Sequence, residues 1–309
     1  MKNLRLALLA AMTASLCSAS AQTTLTNGNA SFNLLGPTVF DAPFGDCTLL
    51  TDTGATDQGY KYTWYYRAPN NNTNRLFSSL DTPASSFVGN TANIVYTNAG
   101  PGPSGVERFN ATITVKLTDG PASNMVRINH EVRFKNINLV TVTYQLFNIV
   151  DFDLSSTATN DVTQLTSIPD GIARFTESSS SNYAEAQGEG ATRYEVNSGS
   201  NLRGKLNGGA FNMANVAGPY AGDGAVGFQW TLTLAPGQEV VIKGGLAINM
   251  TVKPGCAADF DGDGFLTGDD FDLYVAAFEA GLPTSDYDGD GFVTGDDFDL
   301  YVTAFEAGC

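Results

Sequence analysis

Apolar residues occupy every second position in three segments of the chain, 111–117, 126–134 and 226–234, and His130 lies on the apolar side of the second segment. An apolar period of two places one face of a β-strand on a core and the other in water. The sequences Asp-Gly-Pro at 119–121 and Ala-Pro-Gly-Gln at 235–238 are typical of turns. Repeated strands joined by turns predict a mainly β protein, with an antiparallel β-sandwich over residues 22–252.

No segment before residue 257 shows the apolar period of a helix, so we expect no helix in this large domain. Residues 178–203 are rich in Ser, Gly, Asn and Glu, a composition typical of a long exposed loop. Glu185 and Glu189 are therefore expected to be solvated. Residues 253–255, Lys-Pro-Gly, are expected to form a short linker.

The last 54 residues, 256–309 and here called the tail, follow a different pattern. Phe, Tyr, Val and Phe stand at 271, 274, 275 and 278, and the same residues recur at 298, 301, 302 and 305. This spacing of i, i+3, i+4 and i+7 gives a helix one apolar stripe. We predict two short helices that pack on each other through these stripes, each ended by a glycine, Gly281 or Gly308.

Acidic residues are concentrated in the tail. The chain carries a formal net charge of −16, of which twelve Asp and two Glu, with no Lys or Arg, contribute −14 within residues 256–309. So large a local excess of carboxylates indicates cation binding. Nucleic acid is not an expected partner, because the chain offers no basic cluster to contact phosphates.

The tail is an internal repeat in which residues 259–281 and 286–308 differ at only three of 23 positions. Each repeat has the spacing of an EF-hand calcium loop, with oxygen ligands at positions 1, 3, 5, 7, 9 and 12 and a glycine at position 6. The predicted ligands of loop 1 (residues 259–270) are Asp259, Asp261, Asp263, the backbone carbonyl of Phe265, Thr267 and Asp270. Those of loop 2 (residues 286–297) are Asp286, Asp288, Asp290, the backbone carbonyl of Phe292, Thr294 and Asp297. The sequence therefore predicts two bound calcium ions.

Each loop places five carboxylates within a short distance, at positions 1, 3, 5, 11 and 12. One pair of like charges 4 Å apart costs about 4 kcal/mol at an effective dielectric constant near 20. Several such pairs outweigh what two small helices contribute. We therefore expect the tail to fold only when calcium binds.

Position 12 is Asp in both loops, where calcium sensors use Glu, and only Ala257 and Ala258 separate Cys256 from loop 1, which leaves no room for an entering helix. A duplicated loop-then-helix unit of this kind resembles a type I dockerin, and the resemblance covers residues 256–309. It implies a small α-helical, EF-hand-like module that binds a cohesin and so attaches a cargo domain to a scaffold or cell surface.

Dockerins often carry Ser or Thr at loop positions 10 and 11, which help to choose the cohesin. Here Gly268-Asp269 and Gly295-Asp296 occupy those positions. The expected partner is therefore a cohesin-like protein or another surface scaffold protein, and polysaccharide is a further candidate.

The N-terminus is typical of a secretory signal peptide. Lys2 and Arg5 precede an apolar run, and Ala19-Ser20-Ala21 offers a cleavage site, so we predict a signal peptide over residues 1–21 and a secreted protein. The mature chain has no other run of 18 apolar residues, so no transmembrane segment is expected.

A secreted protein can form disulfides. Cys256 and Cys309 bracket the tail and are expected to pair. Cys47 is left as either a buried free thiol or a link to another chain.

The activity of the large domain is open between two hypotheses, a non-catalytic structural or ligand-binding sandwich and an enzyme or binding protein for polysaccharide. Trp64, Tyr65 and Tyr66 could stack on sugar rings, whereas Trp230 and the only histidine, His130, lie on apolar strand faces and are expected in the core. Asp151-Phe152-Asp153 could be a general acid/base pair, a metal site or a solvated strand end. No catalytic residues are assigned.

Overall fold

The structure is a computed structural model. It describes residues 24–33, 48–50, 57–69, 73–77, 80, 84–100, 108–120, 123–156, 160–252, 258–261, 266–288 and 291–307. The predicted signal peptide, the linker 253–255, Cys47 and the predicted disulfide between Cys256 and Cys309 lie outside these residues.

The described part of the chain is mainly β, as predicted. Its strands are β1 (Thr24–Asn27), β2 (Ala30–Asn33), β3 (Thr48–Leu50), β4 (Gly59–Arg67), β5 (Arg75–Leu76), β6 (Ala84–Val88), β7 (Thr91–Ala99), β8 (Phe109–Asp119), β9 (Val126–Asn136), β10 (Val142–Phe152), β11 (Asp161–Ser167), β12 (Ile172–Glu177), β13 (Tyr183–Gly188), β14 (Arg193–Ser198), β15 (Tyr220–Ala221), β16 (Gly224–Leu234) and β17 (Glu239–Ile248). The helices are α1 (Gly199–Asn207), α2 (Gly268–Glu279) and α3 (Gly295–Ala307), with short 3-10 turns at Leu154–Ser156 and Pro283–Ser285.

The strands form three sheets, and the strand pairs are antiparallel. A nine-stranded sheet has the order β15-β11-β12-β13-β17-β9-β8-β7-β6, a five-stranded sheet has the order β14-β16-β10-β4-β5, and β1-β2-β3 form a small third sheet. One apolar core contains buried residues of both large sheets, such as Ile113 and Phe134 from the first and Trp64 and Phe228 from the second. This arrangement is consistent with the predicted β-sandwich.

The alternation in the sequence correctly identified the faces of the central strands. Ile113 and Val115 of β8 and Ile128 and Val132 of β9 are buried, as the period of two predicts. Part of the other face of the five-stranded sheet is buried as well, where α1 covers it. Leu202 and Leu206 of α1 pack there against a second apolar cluster that includes Phe147 and Ile149 of β10.

The predicted loop over residues 178–203 is wrong, and so is the expectation of no helix before residue 257. This region contains β13, β14 and the start of α1. In β13, the polar Glu185 and Gln187 alternate with Ala184 and Ala186, and all four residues are buried. The polar composition of this segment therefore did not reveal the strand. In α1, only Leu202 and Leu206 form an apolar stripe, and the helix begins at a Ser198 side chain that caps the N–H of Asn201. Packing against the sheet compensates for the weak helical sequence.

The two tail helices occur where the sequence predicted them. Their core is an aromatic cluster around Ala258, Tyr274 and Tyr301. The rings of Tyr274 and Tyr301 stack with centroids 3.6 Å apart and planes at 5°. Their hydroxyls donate to the carbonyls of Ser285 (3.2 Å) and Ala258 (3.0 Å), so each repeat contributes one tyrosine in the same role. Among the described residues, no helix combines the length and the apolar character that crossing a membrane requires.

Candidate metal centres

Loop 1 brings three of its predicted ligands together. One carboxylate oxygen each of Asp259, Asp261 and Asp270 lie within 4.8 Å of one another. Asp270, at loop position 12, is buried at the start of α2, whereas Asp261 is exposed. The chain thus converges three carboxylates on one point, as a calcium loop requires.

Loop 2 repeats this arrangement with Asp286, Asp288 and Asp297, whose carboxylate oxygens also lie within 4.8 Å of one another. Gly291, at loop position 6, has φ +94°, the left-handed region that the sharp turn of the loop needs and that glycine adopts without strain. The N–H of Gly291 donates to Oδ2 of Asp286 (2.9 Å), which fixes the first ligand position against the turn.

The position-12 carboxylates are held by backbone N–H groups of their own loops. Oδ1 of Asp270 accepts from Asp261 (3.2 Å), and Oδ2 accepts from Thr267 (2.8 Å). Oδ1 of Asp297 accepts from Asp288 (3.2 Å), and Oδ2 accepts from Thr294 (2.7 Å). The hydrogen bond from the N–H of Thr294 is the largest cause of the lowered pKa of Asp297. This carboxylate is therefore ionised, as a calcium ligand must be.

The two predicted threonine ligands have a second role. The side chain of Thr267 accepts from the N–H of Asp269 (3.2 Å) and completes a capping box with Asp270 at the start of α2. Thr294 accepts from the N–H of Asp296 (3.3 Å) in the same way. Position 9 thus starts the helix that carries position 12.

Several predicted ligands are not placed by the structure. Asp263, Phe265 and Asp290 lie outside the described residues. Phe292 is described and exposed, and its predicted ligand atom is the backbone carbonyl oxygen, because a phenyl ring carries no donor atom for calcium. The donors that are described are oxygens throughout, which is the donor set that calcium prefers.

A third acidic group lies in the large domain, formed by Asp151, Asp153 and Asp223 and here called the β-domain triad. One carboxylate oxygen of each lies within 4.8 Å of the others. Asp151 is the last-but-one residue of β10, Asp153 directly follows this strand, and Asp223 directly precedes β16. The sequence singled out Asp151 and Asp153 as a pair but gave no sign of Asp223, which tertiary structure brings to them.

Burial governs the electrostatics of this region. Burial is the main reason why the pKa of Asp151 rises to about 7. The hydrogen bond from Arg203 lowers this pKa, whereas the charge of Asp223 raises it. The pKa of Asp161 also rises to about 7, through burial first and then the charge of Glu177. Burial likewise raises the pKa of Asp153, and the charge of Asp223 adds to the effect.

The expectation that Glu185 is solvated is wrong. The side chain of Glu185 is 4% exposed, its Oε1 pairs with Arg174 (2.6 Å), and its Oε2 accepts from the N–H of Val252 (2.7 Å). Oε1 of Glu195 is also buried and pairs with Lys205 of α1 (2.6 Å). These carboxylates are occupied by structural partners.

The aromatic residues proposed for sugar stacking are in the core. Trp64, Tyr65 and Tyr66 are at most 2% exposed, and Trp230, which was expected in the core, is 3% exposed. The rings of Trp64 and Trp230 stack on each other with centroids 5.5 Å apart. Sugar binding needs aromatic faces that water can reach, so these four side chains are not available for it.

His130 is buried between Tyr62 and Trp64, as the apolar strand face predicted. Its ring centroid lies 5.4 Å from that of Tyr62 and 5.5 Å from that of Trp64. Burial lowers its pKa to about 3. It is therefore a neutral core residue.

No family model matches the chain, and no curated protein matches it by sequence. Among solved structures, it is similar to a bacterial glucoamylase complexed with acarbose, at 12% identity and TM-score 0.47, over 87% of this chain but only 40% of the length of that one. It is also similar to a galactose mutarotase related enzyme from Lactobacillus acidophilus (8% identity, TM-score 0.44, 74% of this chain and 97% of that one). A putative aldose 1-epimerase from Escherichia coli K12 gives 11% identity and TM-score 0.38, over 74% of this chain and 98% of that one.

Proposed function

We propose that the tail is a calcium-dependent, dockerin-like attachment module that holds the large β domain on a scaffold or cell surface outside the cell. One observation carries the proposal. The duplicated loops converge two equivalent sets of carboxylates, Asp259/Asp261/Asp270 and Asp286/Asp288/Asp297, each within 4.8 Å, at the starts of α2 and α3.

The hydrogen bonds of Asp270 leave room for a cation, because Asp261 and Thr267 use three of its about four lone-pair sites. Asp297 accepts four hydrogen bonds, from Tyr287, Asp288 and twice from Thr294, so a cation there would displace the longest of them, the 3.3 Å bond from the Thr294 hydroxyl. Two calcium ions would supply the positive charge that offsets repulsion within each loop, and the loop oxygens would hold them.

The repeat also explains how one module could present a binding surface twice. Leu273 of α2 and Leu300 of α3 occupy equivalent positions and remain 46% and 45% exposed. A cohesin-like or other scaffold protein that recognises one helix would meet the same side chain on the other. The predicted disulfide between Cys256 and Cys309 would close the ends of this module.

The test measures retention of the full chain on cell envelopes of the producing organism, in calcium and in excess chelator. We expect retention in calcium only, and loss of retention in the double variant Asp270→Asn/Asp297→Asn. The matched control is Asp272→Asn/Asp299→Asn, which removes two exposed helix carboxylates that lie outside the loops. Retention that is equal in calcium and chelator would rule out calcium-dependent attachment, and no retention in either condition would rule out attachment altogether.

The alternative of a polysaccharide-active or carbohydrate-binding domain has no such observation in its favour, since the candidate stacking residues are buried.

A further inference from the structure

Near the end of β10, several buried carboxylate oxygens accept no hydrogen bond from the described residues. Asp151 is 1% exposed, and its Oδ2 pairs with Nη1 of Arg203 at 2.7 Å. Its Oδ1 is buried and accepts no hydrogen bond from the described residues, and the same holds for Oδ1 of Asp153 and of Asp223. Buried carboxylate oxygens are normally satisfied, so an orphaned one indicates a bound water or ion.

The segment that carries Asp153 is fixed by polar contacts. The N–H of Ser155 donates to Oε1 of Gln58 (2.8 Å), and its hydroxyl donates to Oε2 of Glu177 (2.8 Å). Ser155 has φ +54°, a left-handed conformation that these contacts support. Asp153 is thus presented by a structured turn.

The segment that carries Asp223 is fixed from two sides. The N–H of Gly222 donates to the carbonyl of Asp161 (2.8 Å), and the N–H of Gly199 donates to the carbonyl of Asp223 (3.2 Å). Together with the pairing of β15 and β11, these bonds hold the triad between the five-stranded sheet, the nine-stranded sheet and α1.

Gly199 allows Arg203 to approach Asp151. A Cβ at position 199 would overlap both Oδ2 of Asp151 and Nη1 of Arg203. The absence of a side chain lets this ion pair form at the start of α1. The guanidinium therefore occupies one oxygen of Asp151 and leaves Oδ1 for another partner.

Carboxyl groups crowd the site. Arg203 is the cation that pairs with Asp151. The charges of Asp153 and Asp223 act on both Asp151 and Asp161, so repulsion accumulates at the site as its carboxyl groups ionise. A bound cation would offset this repulsion.

We propose that Asp151, Asp153 and Asp223 form a third divalent-cation site, inside the β domain, for a hard cation of the calcium type. The three Oδ1 atoms bind the ion, and water completes its coordination. Hard cations take six or more oxygen ligands, and carboxylates are the preferred ones. This site goes beyond the attachment function and does not depend on it, because it shares no residue with the tail.

The test uses the full chain with both tail loops disabled by Asp270→Asn/Asp297→Asn, and titrates it with calcium in a calorimeter while the thermal midpoint of the β domain is followed. We expect one calcium ion per chain and a midpoint that rises with calcium concentration. Adding Asp153→Asn and Asp223→Asn should reduce the stoichiometry to zero and abolish the midpoint shift. The matched control, Glu239→Gln, changes an exposed carboxylate of β17 and should retain both.

Two results would overturn the proposal. One is no calcium binding up to millimolar concentration by the tail-disabled chain with intact β-sheet circular dichroism. The other is binding that persists after Asp153→Asn and Asp223→Asn. Should the double substitution unfold the domain, Asp153→Asn alone decides the question, since Asp153 is partly exposed and its substitution is expected to weaken calcium binding at least tenfold. Failure here leaves the envelope-retention test of the tail unaffected.

Discussion

The carboxylates of the tail and those of the β domain are equally crowded but differ in what their oxygens contact. In the tail, both oxygens of Asp270 and Asp297 accept hydrogen bonds from backbone N–H groups of the same loop. In the β-domain triad, one oxygen of Asp151 pairs with Arg203 of a distant helix and the other is orphaned. Local sequence therefore builds the tail sites, whereas tertiary packing builds the triad.

The two regions also differ in the core that supports their carboxylates. The triad stands beside an extensive apolar core shared by two sheets. Among the described residues, the apolar cluster of the tail is built on Ala258, Tyr274 and Tyr301, with aromatic rings packed around them. A small core provides little free energy to oppose charge repulsion, so the proposed cations should contribute far more to the stability of the tail than to that of the β domain.

Removing calcium should produce the largest difference between the tail and the β domain. In excess chelator, we expect the helical circular dichroism of α2 and α3 to be lost, because repulsion among the loop carboxylates exceeds the stability of so small a core. Both tryptophans, Trp64 and Trp230, lie in the β domain, so their fluorescence should still report a cooperative unfolding transition. Tail helices that survive in chelator would show that the backbone hydrogen bonds to Asp270 and Asp297 suffice.

The sequence predicted the parts of the fold in which neighbours along the chain decide the structure. Alternation located β8 and β9 and their buried faces, and the i, i+3, i+4 spacing located α2 and α3. It failed for β13 and α1, where polar residues such as Glu185 are buried because Arg174 and a backbone N–H satisfy them. Such compensation is made by other elements and leaves no local pattern.

The candidate sites divide in the same way. The loop spacing alone predicted Asp259, Asp261 and Asp270 as a cluster, and the structure places their oxygens together. In the triad, the sequence identified Asp151 and Asp153 but missed Asp223 and Arg203, which come from a different strand end and a helix that was not predicted. No periodicity connects residues that meet only after two sheets and a helix have packed.

The role of α1 in placing Arg203 can be tested by Gly199→Ala. The new Cβ would overlap Oδ2 of Asp151 and Nη1 of Arg203, so we expect the ion pair to break and the β domain to lose about 3 kcal/mol. Urea unfolding followed by tryptophan fluorescence measures the change.

Gly204→Ala, in the same helix, is the matched control. A Cβ there meets no atom within 4 Å, so alanine should stabilise the helix by about 1 kcal/mol through its higher helix propensity. Equal effects of the two substitutions would contradict a specific role for Gly199.

The β domain should also respond to pH through His130, a group with no counterpart in the tail. Burial lowers its pKa to about 3, whereas an exposed histidine titrates near pH 6.5. Between these values the unfolded chain binds a proton that the folded chain does not, so stability falls as the pH falls from about 6.5.

His130→Leu removes this titration. Relative to the variant, the wild type should lose about 2 kcal/mol of unfolding free energy between pH 6.5 and pH 5. Urea unfolding at both pH values gives the difference, and the variant comparison cancels the titration of Asp151 and Asp161. Parallel pH profiles of the two proteins would mean that His130 takes up a proton in the folded state.

The smallest effect concerns the symmetry of the tail core. Tyr274→Phe and Tyr301→Phe each remove one hydroxyl that donates to a backbone carbonyl, so each should destabilise the calcium-loaded tail by about 1 kcal/mol. Tyr287→Phe is the control, because loop 1 already has Phe260 at the equivalent position. Thermal melting of the helical signal in calcium measures all three. Similar losses for Tyr274→Phe and Tyr301→Phe would show that both repeats support the core equally. A loss confined to one variant would show that the two tyrosines contribute unequally despite the near-identity of the repeats.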